Sequence, residues 1–204
     1  MQNTILLADD DVELSDLLKE YFESEGFAVR VAHDGEQALD QARQPGLDLM
    51  VLDIMMPKMN GMDVLRELRH DSHLPVIMLT AKSDDEDIVQ GLSLGADDYI
   101  AKPFSVTQLV LRVQAVLRRT RPAAPDHVEI RLRDGLLLDV LNLSGSRDGE
   151  PLNFTRREME VLNYLHANQE RPVSREELLS SVWGYARELD IETRTIDIHI
   201  ARLR

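Results

Sequence analysis

The sequence predicts an α/β domain built on a parallel sheet at residues 1–120 and a smaller α+β domain at residues 127–204. Short apolar runs alternate with amphipathic segments through the first region, which is typical of strands followed by crossover helices. A segment rich in proline and alanine at 121–126 interrupts this alternation and predicts a linker. The second region changes to short runs separated by turn residues, which predicts a separate domain.

Five apolar runs predict the strands of the first domain. They are Ile5–Ala8, Ala28–Ala32, Leu47–Leu52, Val76–Leu79 and Asp98–Ala101. Repeated alternation of strand and helix implies parallel strands joined by right-handed crossovers, with helices on both faces. The strands are almost continuously apolar, as expected for a sheet that is buried on both sides.

The sequence of the second domain predicts strands followed by helices. Residues 128–154 contain short apolar runs between turns, which favours a small antiparallel sheet. Thr155 and Ser174 each precede a glutamate by three residues, the spacing of a capping box at a helix start. A last helix is predicted from Thr193. Strands followed by three helices predict a helix-turn-helix beside a sheet.

The composition limits the classes of function. The chain has 23 basic and 37 acidic residues, a net charge of −14, which argues at first sight against a nucleic-acid partner. It has no cysteine, so disulfides and thiolate metal sites are excluded. No apolar run is long enough to cross a membrane, and the first residues do not form a signal peptide. We therefore expect a cytoplasmic protein without a membrane partner.

Polar side chains stand where the predicted strands end. Asp9 and Asp10 follow the first strand, Asp53 the third, Thr80 the fourth and Lys102 the fifth. Ligand sites of open parallel sheets lie at the carboxyl ends of the strands. Three carboxylates crowded together repel one another unless a hard cation such as Mg²⁺ is bound. With a lysine and a hydroxyl beside them, they predict a site for an aspartyl-phosphate.

These motifs have a family resemblance that covers the chain in order. The first domain resembles receiver domains in Ala8–Asp11, Val51–Pro57, Leu79–Ala81, Gly95–Tyr99 and Lys102–Phe104. The second resembles the OmpR/PhoB-type winged-helix effector in Phe154–Glu158, Val173–Leu178, Val182–Gly184 and Arg194–Arg204. The resemblance implies a two-component response regulator, with a flavodoxin-like, five-stranded, doubly wound receiver of strand order 2-1-3-4-5. It also implies an effector that lacks its C-terminal wing hairpin in this sequence.

The resemblance implies roles around the phosphoacceptor. Asp53 is expected to take a phosphoryl group from a sensor histidine kinase. Asp10, Asp53 and the backbone carbonyl of Met55 are expected to bind Mg²⁺ directly, and Asp9 through water. We expect no enzyme activity beyond self-phosphorylation and slow dephosphorylation.

The resemblance also implies a switch. Lys102 is expected to neutralise one phosphoryl oxygen and Thr80 to donate a hydrogen bond to another. Tyr99 then turns inward, which reports the phosphoryl group. The Lys102–Pro103 peptide bond is expected to be cis.

Met55 bears on two further interpretations. Met55 and Lys82 stand two residues after Asp53 and Thr80, respectively. The apolar side chain of Met55 cannot orient water, so we expect a long-lived phosphoryl group. A haloacid-dehalogenase type of hydrolase would need an aspartate at Met55, which makes that alternative poor. Plainer interpretations remain for single residues: the acidic triplet as a solvated helix start, Asp53 as a hydrogen-bonded strand end, and Tyr99 as a half-buried aromatic.

The resemblance implies a homodimer on phosphorylation, formed by the fourth helix, fifth strand and fifth helix. The residues at its charge-pair positions are Asp98 with Arg112, and Asp97 with Arg118 or Arg119. A third pair, usually basic with acidic, falls at Ile88 and Gln108 and is lost here.

The resemblance implies promoter DNA as the effector's partner. The candidate contacts are Arg194, Thr195, His199, Arg202 and Arg204. Family members continue past the position of Arg204 into a basic wing, so we expect weak or lost DNA binding by this chain. Alternatively, Arg202 and Arg204 are ordinary surface charges at the end of a helix. The loop Gly184–Glu192 corresponds to one that contacts RNA polymerase. The alternative function is a receiver that acts through protein partners or as a phosphate sink.

Overall fold

The structure is a computed structural model, and it describes residues 2–81, 90–120, 129–132, 135–184 and 194–203. The chain divides into two compact units, residues 1–120 and residues 121–204. The linker predicted at 121–126 lies outside the described residues. Within the described part of the chain, no helix is both long and apolar enough to cross a membrane.

The first unit is a parallel sheet covered by helices. Its strands are β1 Thr4–Ala8, β2 Ala28–Ala32, β3 Leu49–Asp53, β4 Val76–Ala81 and β5 Asp98–Lys102. Its helices are α1 Val12–Ser24, α2 Gly35–Ala42, α3 Gly61–Leu68, the helical residues 90–93 (α4) and α5 Val106–Thr120.

The strand order is β2-β1-β3-β4-β5 with every pair parallel, which confirms the predicted order. All five residues of β3 are buried, because the central strand has neighbours on both edges and helices over both faces. In the register, Asp53 pairs with Leu79, and Thr80 pairs with Ala101. The carboxyl ends of β3, β4 and β5 are therefore aligned at one edge of the sheet.

The helices that follow these strands begin at polar caps. Asp11, Asp34 and Asn60 each accept a hydrogen bond from the backbone N–H three residues on. Such caps satisfy donors that a helix N-terminus leaves free and contribute about 1 kcal/mol each. They also fix where the loops at the sheet edge end, since each loop runs from a strand end to a cap.

The second unit has the predicted small antiparallel sheet, which consists of four strands in the order β6-β7-β8-β9. Its strands are β6 Glu129–Arg131, β7 Leu136–Asp139, β8 Ser144–Arg147 and β9 Glu150–Asn153. Its helices are α6 Arg156–Ala167, α7 Arg175–Val182 and α8 Arg194–Arg202. Thr155 and Glu158 form the predicted capping box of α6, and Ser174 caps α7. The sheet packs against α6 through a cluster of Ile130, Leu136, Leu138 and Met159.

Candidate functional site

The centre of the site is a lysine between two buried carboxylates. The Lys102 Nζ donates to Asp9 Oδ2 at 2.7 Å and to Asp53 Oδ2 at 2.9 Å. Asp9 is 2% and Asp53 4% exposed, so both carboxylates are largely removed from water. The three side chains come from the ends of β1, β3 and β5, and the parallel register is what brings them together.

The charges of this cluster depend on one another. Burial raises the pKa of Asp53, and the hydrogen bond and positive charge of Lys102 oppose that rise. Burial by itself would lower the pKa of Lys102, but its hydrogen bonds to Asp9 and Asp53 and the negative charges of these two residues together outweigh burial and raise it. A cation at this position therefore stabilises the ionised form of Asp53, which is the form that can act as a nucleophile.

The acidic residues fit a divalent cation. One carboxylate oxygen from each of Asp9, Asp10 and Asp53 lies within 4.8 Å of the others. Asp10 is exposed while the other two are buried, so the cluster opens to solvent on one side. Three hard oxygen ligands with an open side suit Mg²⁺, which keeps several of its waters.

The loop from Asp53 to α3 is held close to the acceptor. The Met55 backbone N–H donates to the Asp53 carboxylate. The Gly61 N–H donates to the Ile54 carbonyl at 2.8 Å, and a Cβ at Gly61 would lie 2.1 Å from the Asp53 carbonyl oxygen. Only glycine fits there. The Met55 side chain is 70% exposed, whereas its backbone lies against the site.

The predicted switch residues lie on neighbouring strands. Thr80 is 1% exposed near the end of β4, one position beyond the partner of Asp53. Tyr99 is half-buried in β5, where it pairs with Met78. The Lys102–Pro103 peptide bond is cis, which confirms that prediction.

Residues that follow β2 reach the same sheet edge, and they were not among the predicted site residues. The His33 Nδ1 lies 3.1 Å from the Asp9 carbonyl oxygen, and the Lys58 Nζ donates to Asp34 Oδ2 at 2.7 Å. The signal was available, because β2 is followed by a polar segment just as the other strands are. His33 therefore contacts the backbone of Asp9 and Lys58 contacts Asp34.

The two aspartates assigned to a dimer interface have partners within the chain, which corrects the expectation. Asp97 is 3% exposed, accepts a hydrogen bond from the Val76 N–H at 3.0 Å and lies 3.7 Å from Arg69. Asp98 is fully buried, and the Arg112 Nη1 donates to it at 2.7 Å. Carboxylates buried in their own unit are not presented to a second subunit.

The other interface residues have mixed positions. Arg118 and Gln108 are exposed on α5 and remain accessible to a partner. Ile88 lies outside the described residues, as does the side chain of Arg119.

One candidate DNA contact is wrong. His199 is completely buried, with its ring centroid 5.5 Å from that of Trp183, and it cannot reach a phosphate. Arg202 is exposed, and its Nε lies 3.2 Å from Glu158 Oε1. Arg204, residues 185–192 of the loop assigned to RNA polymerase and the side chains of Arg194 and Thr195 lie outside the described residues.

Comparisons with known proteins agree with this architecture. Residues 5–114 match the family described as "Response regulator receiver domain". The chain belongs to the response-regulator family. Residues 149–204 match the family described as "Transcriptional regulatory protein, C terminal", which makes it a response regulator of the OmpR/PhoB type with a DNA-binding domain.

Named relatives match both domains of this response regulator. The chain is 46% identical over 207 residues to the transcriptional regulatory protein CpxR of Escherichia coli K12, covering 99% of this chain and 88% of the relative. It is 43% identical over 204 residues to the DNA-binding response regulator MtrA of Mycobacterium leprae, covering 100% of this chain and 88% of the relative.

Two solved structures are similar to this chain, one over almost its whole length and one over the receiver. A mutant of RitR has a TM-score of 0.77 at 28% identity, covering 99% of this chain and 88% of that one. The receiver domain of the Francisella response regulator 1452 has a TM-score of 0.57 at 38% identity, covering 59% of this chain and all of that one.

Proposed function

We propose that Asp53 accepts a phosphoryl group from a sensor histidine kinase, with Mg²⁺ bound directly by Asp10, Asp53 and the Met55 carbonyl and by Asp9 through water. The observation that carries this proposal is the position of Lys102 between Asp9 and Asp53. A buried carboxylate with a lysine on one side and an acidic, open cluster on the other is equipped to become an acyl phosphate.

The residues divide the work of the transfer. An Asp53 oxygen attacks phosphorus, the bond from phosphorus to the donor nitrogen breaks, and a new bond to the Asp53 oxygen forms. Lys102 changes partners as a phosphoryl oxygen arrives, so the positive charge stays in place while negative charge accumulates. Bound Mg²⁺ would supply further charge neutralisation.

The consequences reach the rest of the protein through Thr80 and Tyr99. Thr80 donates its hydroxyl hydrogen to the phosphoryl group, and Tyr99 turns inward from its half-buried position. The receiver then forms a homodimer that includes the exposed residues Gln108 and Arg118. The effector binds promoter DNA, with Arg194, Thr195, Arg202 and Arg204 as candidate contacts, and its loop at 184–192 contacts RNA polymerase.

The phosphoryl group is expected to persist. Met55, two residues after Asp53, carries an exposed thioether that cannot orient an attacking water, and the residue two places after Thr80 is Lys82. We expect a half-life on the order of many minutes or longer without a phosphatase. Loss within seconds would refute this part of the proposal.

The test is intact mass after incubation with Mg²⁺ and acetyl phosphate. We expect one added phosphoryl group, about 80 Da, in the wild-type chain and in Asp40→Asn, which changes an exposed aspartate of α2. Asp53→Asn should show no addition. Persistence of the addition in Asp53→Asn would place the acceptor elsewhere, and no addition in the wild type would overturn the proposal.

A further inference from the structure

A buried aspartate outside the acidic cluster connects the loop before α2 with the loop that follows Asp53. Asp34 follows β2, caps α2 and is 5% exposed. Its carboxylate accepts hydrogen bonds from the Gln37 N–H at 2.9 Å, from Gln37 Nε2 at 2.6 Å and from Lys58 Nζ at 2.7 Å. The last of these donors belongs to the loop that follows the phosphoacceptor.

The backbones of the two loops are also in direct contact. The Gly35 N–H donates to the Pro57 carbonyl at 3.2 Å. A Cβ on Gly35 would lie only 1.9 Å from the Met59 carbonyl oxygen, so the α2 start is pressed against the loop. Lys58, between these two contacts, has a φ of 65°, a conformation that non-glycine residues rarely adopt. The surrounding contacts hold it there.

The other end of this loop contacts the site. Near the start of residues 54–60, the Met55 N–H donates to the Asp53 carboxylate, and the Met55 carbonyl is the proposed backbone ligand of the cation. The Met56 N–H donates to the Ile54 carbonyl, and the Met59 N–H to the Pro57 carbonyl, so the loop is a chain of tight turns. Because a segment of consecutive tight turns has little conformational freedom, the position of Lys58 constrains the position of Met55.

We propose that Asp34 and Lys58 are a positioning pair for the phosphorylation site: their ion pair fixes the loop at 54–60 and so presents the Met55 backbone to Asp53 and to the divalent cation. Neither residue would touch the cation or the phosphoryl group. This inference rests on the proposed function of the site.

A positioning role and a simple charge effect predict opposite changes in Mg²⁺ affinity when Lys58 is replaced. Lys58 is a cation near an acidic cluster, so a purely long-range charge effect predicts that its removal strengthens Mg²⁺ binding. Positioning predicts the opposite, because a loosened loop presents its carbonyl less often and the ordering must be completed on binding. The direction of the change in affinity therefore separates the two effects.

The first measurement needs no metal. Lys58→Met removes the ammonium group but leaves Asp34 as the cap of α2, and Asp34→Asn removes the charge but keeps an oxygen for the cap. We expect faster amide hydrogen exchange in residues 54–60 of both variants, with the rest of the sheet unchanged. The matched control is Arg43→Met, which breaks an ion pair with Asp71 (3.5 Å) elsewhere on the receiver. Unchanged exchange in Lys58→Met would overturn the proposal.

The second measurement is calorimetric titration of the full chain with Mg²⁺. We expect the dissociation constant to rise about threefold to tenfold in Lys58→Met, to recover in Lys58→Arg, and to rise no further in the double variant with Asp34→Asn. Arg43→Met should bind as the wild type does. An unchanged or lower dissociation constant in Lys58→Met would overturn the positioning role.

The two measurements separate this inference from the proposed function. If the wild type binds no Mg²⁺ and gains no phosphoryl group, the proposed function fails, and the positioning of a metal site fails with it. If the wild type binds Mg²⁺ and Lys58→Met binds it equally well, only the positioning pair fails.

Discussion

A buried polar site in the receiver and one in the effector are built in opposite ways. At the receiver site, Asp9 and Asp53 are nearly inaccessible and share the ammonium group of Lys102. In the effector, His199 is completely inaccessible, and neither of its ring nitrogens has a hydrogen-bond partner among the described residues. The first arrangement holds charges in place, and the second holds a titratable group neutral.

The neighbours of His199 show how neutrality is maintained. The Arg157 guanidinium lies 4.8 Å from the Trp183 ring centroid and donates to the Val182 carbonyl at 2.7 Å. Burial lowers the pKa of His199 to about 3, and the positive charges of Arg157 and Arg202 contribute. A charged imidazole there would be desolvated and repelled. The comparison teaches that burial alone does not identify a reactive group, because reactivity also needs a counter-charge and access.

The largest effect is expected from removing the receiver's counter-charge. Lys102→Met removes the ammonium group shared by Asp9 and Asp53, which would otherwise neutralise an arriving phosphoryl oxygen, and should slow phosphoryl incorporation by more than about a hundredfold. The rate is measured by intact mass over a time course with acetyl phosphate. Lys19→Met, on α1, is the control and should react as the wild type does. A rate for Lys102→Met within about threefold of the wild type would contradict the role assigned to this charge.

Truncation of a core side chain in one unit should destabilise that unit and leave the other unchanged. Trp183→Ala removes a completely buried ring and should destabilise the effector by about 3–5 kcal/mol without affecting the receiver. Phe22→Ala, in the receiver core, should do the reverse. Hydrogen exchange measured by mass spectrometry locates the loss in each case. Equal loss in both units for either variant would contradict independent cores.

The buried imidazole should make effector stability depend on pH. The pKa of His199 is about 3 in the folded state and about 6.5 when unfolded, so its contribution is complete above about pH 6.5 and is lost as pH falls toward 3. At pH 5 the loss should be about 2 kcal/mol. The chain has a single tryptophan, Trp183, so its fluorescence reports effector unfolding. His199→Phe should remove most of this dependence; an unchanged profile would show that other groups cause it.

The smallest effect is expected from a partly buried acidic group of the effector. Glu177 accepts a hydrogen bond from the Tyr164 hydroxyl at 2.7 Å and forms an ion pair with Arg171. Hydrogen bonds from Arg171 and then Tyr164 lower the pKa of Glu177 to about 2, so its contribution is present above about pH 4.5 and is lost as pH falls through 2. Glu177→Gln should lower the effector's free energy of unfolding at pH 7 by less than the loss expected from His199 at pH 5, as measured by unfolding followed through Trp183 fluorescence. A larger fall would mean that this contact organises α6 and α7.

Much of the fold was predictable because its signals are local. Apolar runs placed the receiver strands, and the spacing of Thr155 to Glu158 predicted a capping box that is present. The site could be predicted because parallel strands end at one edge, so Asp9, Asp53 and Lys102 could be grouped before any distance was known. The strand order came from the family resemblance.

The errors came from side-chain environment. His199 was assigned to DNA from the family resemblance, yet that position of α8 faces Trp183. Asp97 was assigned to a dimer, yet it accepts the Val76 N–H within its own unit. Both assignments depended on which face is covered, and that is a property of packing between elements.

The sequence by itself determined the strand and helix types, the caps, and the residue types at the carboxyl edge of the sheet, since each follows from periodicity or short spacing. Only the tertiary structure decided that Lys102 lies between two carboxylates, that Asp34 reaches Lys58 and that His199 is buried. These contacts join residues 24 to 93 positions apart, or depend on how helices pack. Spacing along the chain does not encode them, because burial and charge pairing depend on which surfaces the fold brings together.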